Sequence, residues 1–154
     1  MSIYHESKGS PVLKAIIVVL LGVLLYVLYE PYQVREREEN YKKESRLRMM
    51  NIRTAQLQYI SEKGVYANSL DTLVAFVKEK LAAGAIDPSI FKPLSHGAFT
   101  PDSLLKTPKS QRPYSLQTVE QTVIKKYLLE DPDGYGSIGS LTDDTRVNKA
   151  SWEE

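Results

Sequence analysis

The chain has 154 residues, 42% of them hydrophobic, and a formal net charge of +1. That is room for one domain, with part of the length spent on an apolar N-terminal stretch. The near-neutral charge, without a basic cluster interleaved with aromatics, excludes a nucleic-acid partner. The absence of cysteine excludes disulfides, zinc thiolates and thiol catalysis, and His5 and His96 stand too far apart to suggest a histidine-built metal site.

Residues 1–11 form a short leader. Residues 12–29 follow with a single charge, Lys14, over about 18 positions, close to the roughly 20 that a helix needs to cross hydrocarbon. Tyr26, Tyr29 and Tyr32 gather at the far end, where amphipathic rings favour the headgroup region, and Lys14 can snorkel at the near end. A cleaved secretory signal would have a shorter apolar core and a small-residue cleavage site. This run instead ends in Tyr29-Glu30-Pro31, so an uncleaved transmembrane helix is expected.

Residues 30–63 read as a charged stalk helix. Glu38 and Lys42, Glu39 and Lys43, and Glu44 and Arg48 are spaced i,i+4 with the acid first, which suits a solvated face as far as Arg53. Residues 54–61 carry no charge. Leu47, Met50 and Leu57 lie on one side of a helical wheel and Ile52, Ala55 and Tyr59 on another, so this half is expected to be buried on more than one side. Gly64 supplies the stop. Anchor and stalk together make a helix of about 50 residues, roughly 75 Å long, which Pro31 is expected to bend.

Residues 64–154 make the head. Ser69 is an N-cap, Asp71 suits the first turn, and Leu70, Leu73, Val74, Val77 and Leu81 form one apolar face. The helix ends near Ala83-Gly84. Pro88, Pro93, Pro101, Pro108 and Pro113 then forbid long regular elements and leave short helical turns at 88–91 and 101–105. Residues 114–119 and 122–129 favour strands, although 127–129 could equally finish a short helix. Residues 131–134 form a turn, and 135–141 a last strand with Ile138 and Leu141 as its apolar contacts. The tail from 142 to 154 is polar apart from Val147 and Trp152. The expected class is α+β: one N-terminal transmembrane helix continuing into a long stalk, packed on a head with a second helix and a few-stranded antiparallel sheet.

Lys8-Gly9, the apolar Ile17-Val18-Val19 with Gly22, and Pro31-Tyr32-Gln33 resemble the leader end, apolar helix and proline–tyrosine exit of type IV pilins and type II secretion pseudopilins. Residues 52–56 (I-R-T-A-Q), 64–66 (G-x-Y), 69–73 (S-x-D-x-L), 76–78 (F-V-K), 139–142 (G-S-L-T) and Trp152 are similar to a group of short single-pass envelope proteins of uncharacterised function. The pilin resemblance implies a pilin-like fold. It departs where that family has a glutamate five residues after the glycine. Lys14 stands there, and Ser10-Pro11 replace the first two residues, which implies pilin-like shape without standard pilin maturation.

Some pseudopilins hold calcium near this end of the chain, which makes Asp131 and Asp133 calcium candidates within the acidic group completed by Asp143 and Asp144. The spacing lacks the alternating ligands of an EF-hand, and two solvated turns are the plainer reading. Residues 137–140 lack the lysine and spacing of a phosphate loop. No serine has a plausible histidine base, so no enzyme and no cofactor is expected. Trp152 either clamps the tail onto the head or serves a partner as a hot spot. Lys14, Gly22, Pro31 and Trp152 are the partner-contact candidates.

The leading expectation is a non-enzymatic, membrane-anchored structural or assembly subunit of an envelope secretion or surface machinery. Its partners would be lipid and other transmembrane subunits, with self-association open. The alternative is an accessory single-pass subunit of a larger complex, such as a translocon or respiratory assembly, with Lys14 paired to an acid on a partner helix. An envelope protein that binds a glycan or a small ligand ranks third. The positive-inside count favours a cytoplasmic head. The pilin resemblance implies a bacterial inner-membrane protein with its head outside the cytoplasm, and that is the expectation.

Overall fold

The computed structural model describes residues 10–120 and 124–153. The leader's first nine residues, including His5, Lys8 and Gly9, lie outside the described residues, as do Thr122 and Val123 of the second expected strand. The class is α+β. A long helix α1 (Pro11–Lys63) is followed by α2 (Leu70–Ala82) and by three strands, β1 (Ser115–Val119), β2 (Lys126–Glu130) and β3 (Ser137–Gly139). The chain divides into two compact units at Glu39/Asn40.

In the first unit α1 is helical from Pro11 onward and continues through Pro31. Every large apolar side chain from Val12 to Val34 is 44–71% exposed, so no face of this segment is covered by the described residues. It is long and apolar enough to cross a membrane.

The second unit is built around the last turns of α1. Met49, Ile52 and Ala55 are fully buried against Leu73, Val74 and Val77 of α2 and against Tyr127, Leu129 and Ile138 of the sheet. Each such aliphatic side chain contributes about 1.5–3 kcal/mol when removed from water. The sheet is antiparallel in the order β1-β2-β3, with Leu116 opposite Leu129 and Leu129 opposite Ile138. Residues 127–129 are therefore strand, because Tyr127 and Leu129 alternate onto the core while β2 is laddered on both sides.

Local rules set the remaining boundaries. Gly64, at φ +74°, ends α1 with its N–H donating to the Ile60 carbonyl at 2.8 Å. Ser69 caps α2 by accepting from the Thr72 N–H. The prolines confine the middle to 3-10 turns at Pro88–Ile90 and Pro101–Leu104. Gly134 N–H donates to the Asp131 carbonyl at 3.0 Å, closing the expected turn.

The expected burial is corrected in places. The solvated face of α1 does not reach Arg53. Glu44 and Ser45 are buried, because the head closes over the helix from that turn onward. The following half is buried on more than one side, as expected: Ile52 and Ala55 lie in the core and Met50 and Tyr59 pack against it, although Leu57 is 42% exposed. Leu141 also stays outside the core. Val147 packs there, and Ala150 bridges Ile138.

Candidate functional site

The buried face of α1 is half polar. Ser45, Met49, Ile52 and Gln56 form one helical row, and Glu44, Arg48, Asn51 and Ala55 the adjacent one. The amides in these rows act as backbone surrogates for irregular chain. Asn51 Nδ2 donates to the Lys92 carbonyl at 2.9 Å and its Oδ1 accepts from the Lys92 N–H at 2.7 Å. Gln56 does the same for Ala67, both bonds at 2.9 Å. A proline-punctuated segment cannot satisfy its own backbone by laddering, so these side chains supply the missing partners.

Glu44 and Arg48 extend this arrangement. Glu44 accepts from Arg48 Nε at 3.1 Å and from the Ser95 N–H at 2.8 Å, while Arg48 Nη1 donates to the Lys106 carbonyl at 2.8 Å. Burial pushes the Glu44 carboxyl up, but the Ser95 bonds and the Arg48 charge outweigh it and hold the group below its ordinary value. The pair lines a cleft of about 510 Å³ with Tyr41, Lys43, His96 and Gln111.

Ser45 joins α1 to the end of β2. Its hydroxyl donates to Asp131 Oδ2, so its oxygen accepts from the Tyr114 hydroxyl at 2.9 Å. Burial pushes the Tyr114 phenol well above its usual range. Serine, tyrosine and carboxylate are all buried.

The two calcium candidates are occupied by internal donors. Asp131 Oδ1 accepts from the Asp133 N–H at 2.6 Å. Asp133 accepts from Ser110 N–H and Oγ at 3.2 and 3.0 Å and from Arg112 at 3.0 Å. Burial raises the Asp133 carboxyl, and the bonds from Ser110, Arg112 and Thr107 more than reverse this, to about 2. Asp143 caps a 3-10 turn by accepting from Thr145, and Asp144 pairs with Lys126. The reading of two solvated turns is thus corrected for the first turn, where Asp131 is buried and the Asp133 side chain is only 5% exposed, and holds for the second, where the Asp144 side chain is 58% exposed. Among the described residues no group of three or more His, Cys, Asp or Glu side chains could hold a metal ion.

Trp152 packs on the head. The Arg46 guanidinium lies 4.7 Å from its ring centroid, and a Cβ on Gly136 would come within 2.6 Å of the ring. Arg53 Nη1 donates to the Asn148 carbonyl at 3.1 Å and pairs with Glu153 at 2.9 Å, so the tail is tied down on both sides of this contact. The outer side of Trp152 lines an open groove of about 490 Å³ with Leu47, Met50 and Lys92. Lys14, Gly22 and Pro31 are all exposed on the first unit, and a Cβ at Gly22 would meet nothing within 4 Å.

Several motif residues acquire structural reasons. Ile52, Ala55 and Gln56 are buried, Arg53 holds the tail, and Gly139, at φ +87°, sits where a Cβ would lie 2.2 Å from the Tyr127 carbonyl oxygen. The polar residues that organise the site, Ser45, Asn51 and Gln56, went unpredicted. Their signal was uncharged polar side chains at helical spacing, Ser45 and Gln56 in the row of Met49 and Ile52 and Asn51 in the row beside it.

Comparison with protein-family models, curated proteins and solved structures finds no match.

Proposed function

We propose that the chain is a single-pass, membrane-anchored, non-enzymatic structural or assembly subunit of a bacterial envelope machinery, pilin-like in plan and not matured as a standard pilin. The observation that carries this reading is the apolar half of α1, exposed on every side over more than one hydrocarbon thickness. Such a helix is stable only in lipid or among other apolar helices. The buried, mutually hydrogen-bonded Ser45, Tyr114 and Asp131 support a structural role for the head. The head lies outside the cytoplasm in this reading. An accessory role in a larger complex is the second reading, favoured by Lys14, an exposed cation four positions into α1 that suits an acidic residue on a partner helix.

The test is carbonate extraction of membranes from cells expressing the full chain. The native protein stays in the pellet. Val19→Arg, which places a charge at the centre of the span, weakens insertion by about 2.5–3.5 kcal/mol and moves much of it to the supernatant. A native chain found in the aqueous fraction ends the reading. Because the sequence holds no cysteine, Asp102→Cys reports topology: labelling by an impermeant maleimide in intact spheroplasts is expected, and protection there places the head in the cytoplasm.

A further inference from the structure

The two edges of the sheet differ. The outer edge of β3 is closed by the tail: Ala150 bridges Ile138, Gly139 N–H donates to the Lys149 carbonyl at 2.9 Å, and Ser151 N–H donates to the Ser137 carbonyl at 2.8 Å. β1 is the other edge. It is laddered to β2 on one side, and among the described residues no backbone hydrogen bond reaches Ser115–Val119 from the opposite side. A row of unpaired amides and carbonyls is a template for another strand, and proteins usually blunt it with lysine, proline or a bulge. Ser-Leu-Gln-Thr-Val contains neither residue, and its ladder to β2 runs one-to-one through all five positions. Ser115 and Gln117 are exposed, while Leu116 leans onto the core.

We propose that β1 is a self-pairing edge: the β1 strand of a second copy adds to it antiparallel, about a two-fold axis at Gln117, joining two three-stranded sheets into one. The sequence of the edge favours this occupant. Centred on Gln117, Ser115 faces Val119 and Leu116 faces Thr118, so polar and apolar faces stay in register and no like charges meet. Centring on Leu116 would draw Pro113, which has no N–H, into the ladder opposite Val119. Centring on Glu120 would set two carboxylates against each other. A five-residue ladder is weak in dilute solution. Confinement of both copies by a membrane anchor raises their effective concentration, and this part rests on the function proposed above.

The absence of native cysteine makes the test direct. Full-length Gln117→Cys in native membranes is treated with a short bis-maleimide, with Ser115→Cys and Asp71→Cys, on exposed positions of β1 and α2, as comparisons. The expected result is a homodimer from Gln117→Cys at least fivefold above both. Two Ser115 positions would lie about 14 Å apart in this register, too far for the linker. Gln117→Lys lowers recovery of one tagged copy with another several-fold, and mixing Gln117→Lys with Gln117→Glu chains restores it. Equal cross-linking at all three positions, no dimer at Gln117, or capture of a different protein there overturns the proposal. A membrane-bound chain without the dimer refutes the pairing alone. A chain in the aqueous fraction that still forms the dimer supports the pairing and refutes the anchor alone.

Discussion

The two halves of α1 invert the usual relation between side-chain chemistry and burial. From Val12 to Tyr29 the helix is apolar apart from Lys14, and its large apolar side chains are exposed among the described residues. Beyond Lys43 it carries Glu44, Ser45, Asn51 and Gln56, and these four are buried. The difference is what surrounds each half. An irregular, proline-rich head needs hydrogen-bond partners for its own backbone, and a rigid helix presents them at fixed spacing. An apolar helix with no such neighbours needs an apolar medium instead.

This contrast is most sharply broken by matched truncations. Ile52→Ala should destabilise the head by about 2–5 kcal/mol, since Ile52 is fully buried. Leu20→Ala should change head unfolding by less than about 0.5 kcal/mol, as expected for a side chain that touches no core. Denaturant unfolding in detergent, followed by the fluorescence of Trp152, measures both. Similar losses would mean that the two halves are not energetically distinct.

A smaller effect tests whether the buried polar row matters for its hydrogen bonds or only for its volume. Gln56→Met preserves the shape but strands the N–H and carbonyl of Ala67, which is 1% exposed. A loss of about 2–4 kcal/mol is expected. An unchanged midpoint would show that water or another group replaces the amide.

The smallest effect is pH-dependent. The Asp133 carboxyl titrates at about 2 in the fold against an ordinary 3.8. A depressed value means that its contribution is complete above the ordinary value and disappears as pH falls through about 4 to about 2. Asp133→Asn should cost about 1–2 kcal/mol at neutral pH, a modest figure because Arg112 is largely exposed. It should also flatten the acid limb of stability between about pH 4 and pH 2. An acid limb identical to that of the native chain would count against this role for Asp133.

Much of this organisation was legible in the sequence. The apolar run, the Ser69 cap, the Gly64 stop, the proline-started turns and the 131–134 turn all depend on neighbours within a few residues. The buried polar seam was not legible. Ser45 and Asp131 are 86 positions apart, and Arg53 and Glu153 are 100 apart. The i,i+4 spacing of Glu44 and Arg48 looked like a wet pair, and the ion pair does form. What spacing could not reveal is that the loops at Ser95 and Lys106 close over it.

The sequence alone determined where the chain turns greasy, where helices start and stop, and which segments extend, because those depend on side-chain chemistry and on backbone freedom over one or two turns. Only the tertiary structure decided which polar groups go inside and which strand edge is closed. Both depend on donors and acceptors brought together from distant parts of the chain, and hydrophobicity carries no record of those meetings.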